Sequence, residues 1–145
     1  MKSLPFFLDW LFCRPWNFQL SIFNSQLISM LQISLHIMSF FYIAAGVYHF
    51  VKPKFYLYMM PAYIPAHKVM VWLSGVAEVV LGIGLLFDAT RSFSAWGIIL
   101  MLIAFFPVHI SMLIEPRFDK ISKTFRWARI PLQFLAIWWA YLFTV

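Results

Sequence analysis

The hydrophobic positions of this chain fall into four long apolar runs separated by short polar segments. Each run holds about twenty residues, and the runs cover residues 31–50, 69–87, 93–114 and 127–144. A helix of that length crosses about 30 Å of hydrocarbon at a rise of about 1.5 Å per residue. The runs are continuous rather than alternating, which favours helices over membrane β-strands. The sequence therefore predicts an all-α integral membrane protein, an up-and-down four-helix bundle over residues 31–145.

The segments between the runs have the composition of loops. Loop one (51–68) contains three prolines, loop two (88–92) is short, and loop three (115–126) is charged and opens with a Glu-Pro pair. Proline disfavours continuation of a helix, so it is a common boundary signal. Within loop one, Met59 and Met60 are interpreted as side chains that fill irregular gaps.

Residues 1–30 do not follow this pattern. Their longest apolar stretch, Leu4–Phe12, is too short to span a membrane and contains Asp9. Large side chains precede Cys13, whereas a signal-peptide cleavage site requires small ones. We therefore expect an irregular or interfacial N-terminal extension, with a natural start at Met30 as the alternative.

The composition also points to the lipid bilayer. The chain is 63% hydrophobic and only 11% charged, whereas about a quarter of the residues in a soluble domain are charged. A net charge of +6 would suggest nucleic-acid binding in a soluble protein, but here the basic residues lie between apolar runs. We expect no nucleic-acid partner. The single cysteine, Cys13, excludes an internal disulfide and a dithiol relay within one chain.

The positions of lysine and arginine predict an orientation. Eight of these residues lie in or beside loops one and three, and three lie in the N-terminal tail and loop two. Because cytoplasmic loops of membrane proteins are enriched in lysine and arginine, loops one and three are predicted to be cytoplasmic and both termini to lie outside.

Glu78 is the single ionisable residue of the second run and lies near its middle. A charged side chain at that depth costs about 2.5–3.5 kcal/mol, so the carboxyl group must be protonated or paired with a cation. Gly75 and Gly82, three and four residues away, share its helix face and permit a neighbouring backbone to approach closely. We predict that Glu78 faces another helix.

The other runs supply polar partners in the half of the bundle nearest loops one and three. They are His49, at the end of the first run, His109, late in the third, and Arg129 and Gln133, early in the fourth. With Glu78, these residues form the predicted ligand-binding or polar cluster. Two interpretations stay open: a structural ion pair that fixes helix order, or a small cavity that binds a polar headgroup or moves protons.

A metal site is not predicted. Two histidines and one carboxylate could be drawn from His49, His109 and Glu78, but no pair of them has helical i, i+4 spacing. The chain also lacks a Gly-rich phosphate loop, a nucleophile elbow and an HExxH motif. The catalytic residues, if there are any, are therefore not assigned.

Several short motifs occur in a characteristic order between residues 40 and 144. They are Gly46-Val47-Tyr48-His49-Phe50 with Lys52-Pro53, Met59-Met60-Pro61-Ala62-Tyr63-Ile64-Pro65, Ser74-Gly75-Val76-Ala77-Glu78 with Gly82, Ala95-Trp96-Gly97, Pro107, and Arg129-Ile130-Pro131-Leu132-Gln133. Together they resemble the DoxX family of small four-helix membrane proteins.

The resemblance implies a redox-associated protein of the bacterial inner (plasma) membrane. The family takes its name from a subunit of a thiosulfate:quinone oxidoreductase, but no thiosulfate-handling cysteine is available here. We therefore expect an accessory subunit with a soluble or membrane-bound redox partner and a quinone as the candidate cofactor. A proton-coupled small-solute transporter and a membrane-protein assembly factor are the alternatives. A homo-oligomer is a further expectation, since Gly82 and Gly84 would tolerate close helix contacts.

Overall fold

In the computed structural model the described residues are 4–119 and 121–145, with side chains from Ile22 onward except that of Arg117. This part of the chain contains helices and no strands, which confirms the all-α prediction for it. The helices are α1 (Leu4–Val51), α2 (Pro53–Met59), α3 (His67–Gly84), α4 (Asp88–Ile114) and α5 (Lys123–Tyr141), with a short 3₁₀ helix at Pro116–Phe118.

Three of the described helical segments are long and apolar enough to cross a membrane. They are Ile22–Val51 within α1, the whole of α3, and the whole of α4. The predicted fourth span is not among them, and α5 carries Lys123, Arg126 and Arg129 within its first seven residues. The structure therefore supports a membrane protein with three candidate spans, and the predicted fourth span stays a prediction.

The N-terminal extension, which was predicted to be irregular or interfacial, belongs to α1 in the described residues. From Leu4 the backbone is helical without interruption to Val51. Asp9 and Pro15 break the apolar run but not the helix, since one proline removes only one intrahelical hydrogen bond. Residues 1–3 lie outside the described residues, and the interfacial placement and the start at Met30 stay predictions. The chain divides into two compact units, residues 1–36 and 37–145.

The boundaries of the later helices differ from the predicted runs by a few residues. Predicted loop two (88–92) lies inside α4, because Asp88 occupies the first turn, where the helix dipole favours a carboxylate, and pairs there with Arg91. Predicted loop one contains α2, which begins at Pro53; proline fits the first helical position because no intrahelical donor is needed there. The fourth run forms a helix four residues earlier than predicted, at Lys123.

Within residues 37–145, the last part of α1 packs very closely against α3. The Ser39 hydroxyl donates a hydrogen bond to the Gly82 carbonyl at 2.6 Å. At the middle of α3, a Cβ atom on Gly46 would lie 2.6 Å from the Gly75 carbonyl oxygen. The two backbones can approach this closely only because glycine has no side chain. These contacts make α1 and α3 antiparallel.

Helices α4 and α5 are antiparallel as well. The Ser92 hydroxyl, near the start of α4, donates to the Thr144 carbonyl at 2.6 Å. Near the end of α4, the Met112 carbonyl accepts a hydrogen bond from Arg126 at 3.3 Å. The end of this unit that carries loops one and three is closed by a buried cluster of Met59, Met112 and Phe118.

Candidate functional site

Glu78 and His49 meet at the interface between α3 and α1. Both residues are 5% exposed, and Glu78 Oε2 lies 3.4 Å from His49 Nδ1. As predicted, Glu78 shares the buried face of α3 with Gly75 and Gly82. The glycines bring α1 close enough for the imidazole to reach the carboxyl group.

The N–H group of His49 Nδ1 does not donate a hydrogen bond to this carboxyl group. Nδ1 donates to the Ala45 carbonyl at 3.0 Å, and a carbonyl can only accept. Glu78 Oε2 therefore stays without a hydrogen-bond partner although it is fully buried. An unpaired buried carboxyl oxygen costs about 1–3 kcal/mol or more, so such an atom is a candidate contact for a ligand.

Tyr56 of α2 covers His49. The two rings stack with centroids 3.5 Å apart and planes inclined by 21°. Burial, with smaller contributions from Glu78 and Tyr48 and against an opposing one from Arg129, raises the pKa of the Tyr56 phenol to about 12. Tyr56 is therefore a neutral hydroxyl within electrostatic range of both Glu78 and Arg129. Tyr56 was not predicted from the sequence, because the prolines of loop one gave no sign of a helix folded over the site.

Arg129 lies in sulfur-rich and aromatic surroundings. Its Nη1 is 3.5 Å from the Met59 sulfur and 3.3 Å from the Met112 sulfur, and its Cζ is 4.8 Å from the centre of the Phe125 ring. No ion pair among the described residues includes it. A thioether is a weak acceptor, so the guanidinium group keeps donor capacity for a stronger one.

His109 lies late in α4, within electrostatic range of Arg129. Its Nδ1 atom is buried and has no hydrogen-bond partner. Tyr42 of α1 is also buried and lies within electrostatic range of Glu78. His49 thus contacts both Tyr56 and Glu78, and Arg129 and His109 lie within electrostatic range of each other. Arg129 also lies within electrostatic range of Tyr56, which relates the two groups. We call these five residues the polar cluster.

Gln133, the fifth residue of the predicted cluster, makes its hydrogen bond to α4. Its side-chain amide is buried and donates to the Leu102 carbonyl of α4. Leu102 precedes Ile103, the residue whose carbonyl loses its helical donor because Pro107 has no N–H. Gln133 therefore joins α5 to a locally disrupted turn of α4, and we leave it out of the polar cluster.

Replacing Gln133 with leucine should lower the free energy of unfolding by about 1 kcal/mol, as for other buried hydrogen bonds between membrane helices. Chemical unfolding in detergent measures this loss. Leu132→Ala, at an exposed neighbouring position, is the control for a change of side-chain volume. An unchanged stability in Gln133→Leu would show that the bond to Leu102 contributes nothing.

Among the described residues, no three histidine, cysteine or acidic side chains come together as metal ligands. His49 and Glu78 are in contact, but His109 does not join them in such a group. Met59 and Met112, which the sequence analysis did not place in the site, reach Arg129 instead.

No curated protein and no solved structure matches this chain. One family model matches residues 38–144, which is most of the chain and includes all five residues of the polar cluster. The chain therefore belongs to the family described as a domain of unknown function (DUF8561).

Proposed function

We propose that this protein is a four-span, DoxX-like membrane protein that serves as a redox-associated accessory subunit and holds a quinone-like headgroup in the polar cluster. The proposal rests on the ordered motifs that resemble the DoxX family, on three helices able to span a membrane, and on the unpaired polar atoms of the cluster.

The fourth span of this proposal is α5. It is a 19-residue helix that packs along α4, and its outer surface carries exposed apolar side chains, among them Leu132, Leu135 and Trp138. Its three cations lie in the first two turns, at the end where the loops enter water. Arginine and lysine side chains near a helix end can reach the membrane interface, which makes such a helix compatible with a span.

The observation that carries the proposed ligand is the group of unpaired donors and acceptors in the polar cluster. Among the described residues, Glu78 Oε2 and His109 Nδ1 have no hydrogen-bond partner, and the acceptors of Arg129 are thioether sulfurs. Buried polar atoms are almost always hydrogen-bonded in folded proteins, so two unpaired atoms together with a guanidinium group that has only weak acceptors indicate an additional ligand.

A quinone headgroup fits this donor set. Its two carbonyl oxygens accept hydrogen bonds and its isoprenoid tail is apolar, which suits a site within a membrane. Arg129 and Tyr56 would donate to a carbonyl oxygen, whereas Glu78 and His109 would hold or release protons. When bound, the quinone supplies two-electron redox chemistry coupled to proton uptake.

The proposed orientation places the polar cluster near the cytoplasmic side. Loops one and three carry most of the basic residues, and Arg129 of the polar cluster contacts Met59 of loop one and Met112 near the start of loop three. By the positive-inside rule this end is cytoplasmic, and we propose that the redox partner docks here.

Replacing Arg129 with methionine should weaken the binding of a short-chain quinone to the purified protein by roughly 10- to 150-fold, because one charge-assisted hydrogen bond contributes about 1.5–3 kcal/mol. Equilibrium titration in detergent measures the affinity. Lys123→Met, an exposed position on the same helix, is the matched control and should bind as the wild type does. Wild-type protein that binds no quinone, or equal affinities in all three proteins, would contradict the proposal and leave Glu78 and His49 as a structural pair.

A further inference from the structure

An open groove lies beside the first turn of α3, outside the polar cluster. It is lined by Leu57 of α2 and by Ala66, His67, Lys68 and Val69, and its volume is about 570 Å³. Ligand sites in proteins have volumes of roughly 300–1,000 Å³. The groove is therefore large enough for part of a lipid molecule.

The charge of this groove comes from Lys68. His67 hydrogen-bonds within the protein, since its Nε2 donates to the Pro61 carbonyl at 2.9 Å. This bond fixes the position of the His67 side chain in the groove wall. Lys68 is exposed, and no ion pair among the described residues involves it. The groove thus presents an ammonium group without a protein counter-ion.

The apolar wall of the groove continues onto an exposed surface of α3. Val69 lines the groove and is 63% exposed, and Trp72 and Leu73 in the next turn are 58% and 61% exposed. A membrane helix turns such a surface toward lipid tails. The groove therefore places a cation beside an exposed apolar surface. This arrangement matches a phospholipid, which has a charged headgroup and apolar acyl chains.

The surrounding segment adds positive charge of its own. Residues 51–68 contain Lys52, Lys54 and Lys68 and no acidic residue. On α2, Phe55 and Tyr58 are exposed, and aromatic side chains of this kind are typical of the headgroup region of a bilayer. Each lysine near an anionic leaflet contributes about 1 kcal/mol of attraction.

We propose that this groove binds one anionic membrane phospholipid, with its phosphate at Lys68 and an acyl chain along Leu57 and Val69. The occupant is a phospholipid and not a free phosphate, because a groove with apolar walls that opens onto the exposed face of α3 accommodates a chain as well as a charge. Its headgroup is anionic because the charged groups of residues 51–68 are all basic. This site does not depend on quinone binding.

Native mass spectrometry of the purified full-length protein, titrated with phosphatidylglycerol or phosphatidylcholine, tests the proposal. We expect the wild type to retain the first bound phosphatidylglycerol at least fivefold more strongly than phosphatidylcholine. In Lys68→Gln that preference should fall to below twofold. Arg91→Gln, which removes one charge beside α3's other end, should keep the wild-type preference.

A second variant tests the groove while the charge is kept. Leu57→Trp fills the groove from the α2 side and should reduce phosphatidylglycerol retention at least threefold, which supports the site even if Lys68→Gln does not fold. The proposal is overturned if Lys68→Gln and Leu57→Trp both retain the wild-type preference. It is also overturned if Arg91→Gln loses as much preference as Lys68→Gln, since the effect would then follow net charge alone.

Discussion

Gly46→Ala is expected to lower the free energy of unfolding by about 3 kcal/mol, the upper end of the usual cost of overpacking. The added Cβ would lie 2.6 Å from the Gly75 carbonyl oxygen and 2.9 Å from the Val79 backbone nitrogen. Neither atom can move without a shift of α3 itself. The change also separates His49 from Glu78, because both depend on the close approach of α1 and α3. Thermal unfolding in detergent, followed by size-exclusion chromatography, measures the loss.

The matched control for this substitution is Gly97→Ala on α4. The added Cβ would meet only the end of the Leu81 side chain, which can rotate away. Alanine is favoured over glycine in a helix by about 1 kcal/mol, so this variant should be as stable as the wild type or more stable. If Gly46→Ala is no less stable than Gly97→Ala, the close contact between α1 and α3 does not exist in the folded protein.

Arg126→Ala is expected to lower the free energy of unfolding by about 2–3 kcal/mol. Arg126 is buried, and it donates to the Met112 carbonyl at 3.3 Å and to the Asp119 carboxylate at 3.2 Å. The last carbonyls of a helix lack intrahelical donors, so Arg126 satisfies the C-terminal turn of α4 while it fixes the segment after it. Alanine removes both bonds and leaves a void beside Met112.

Chemical unfolding measures this effect against Lys123→Ala, a substitution at an exposed position three residues earlier on α5. The control should change stability by less than about 0.5 kcal/mol, as is usual for surface positions. Since the Arg126 Nε atom is buried without a partner, Arg126→Met should lose less stability than Arg126→Ala because it restores apolar contacts. Equal stability of Arg126→Ala and Lys123→Ala would show that the segment after α4 is held by other contacts.

Local spacing was sufficient to predict the surroundings of Glu78. Gly75, Glu78 and Gly82 lie on one helix face, and a carboxyl group in an apolar run must face protein, so the contact with another helix follows from the sequence alone. The identity of the partner does not follow. It depends on which residue of α1 lies opposite, and the Gly46–Gly75 contact places His49 there.

The contributions of loop one could not be predicted in the same way. Three prolines predict a loop, and only the folded chain shows that the segment between them forms α2 and returns over the cluster with Tyr56 and Met59. Gln133 was placed in the cluster because it lies one helical turn from Arg129. Its actual bond to Leu102 depends on the rotation of α5 against α4, which a single sequence does not specify.

Native mass spectrometry of protein extracted gently from its own membrane tests the central claim most directly. The wild type should retain one quinone, and Glu78→Gln, which keeps the shape of the side chain but removes its acidic group, should lose it. Ser94→Ala, a change at another buried polar residue of residues 37–145, should retain the quinone. Wild-type protein free of quinone, or a Glu78→Gln variant that retains it as well as Ser94→Ala does, would contradict a quinone site at the polar cluster.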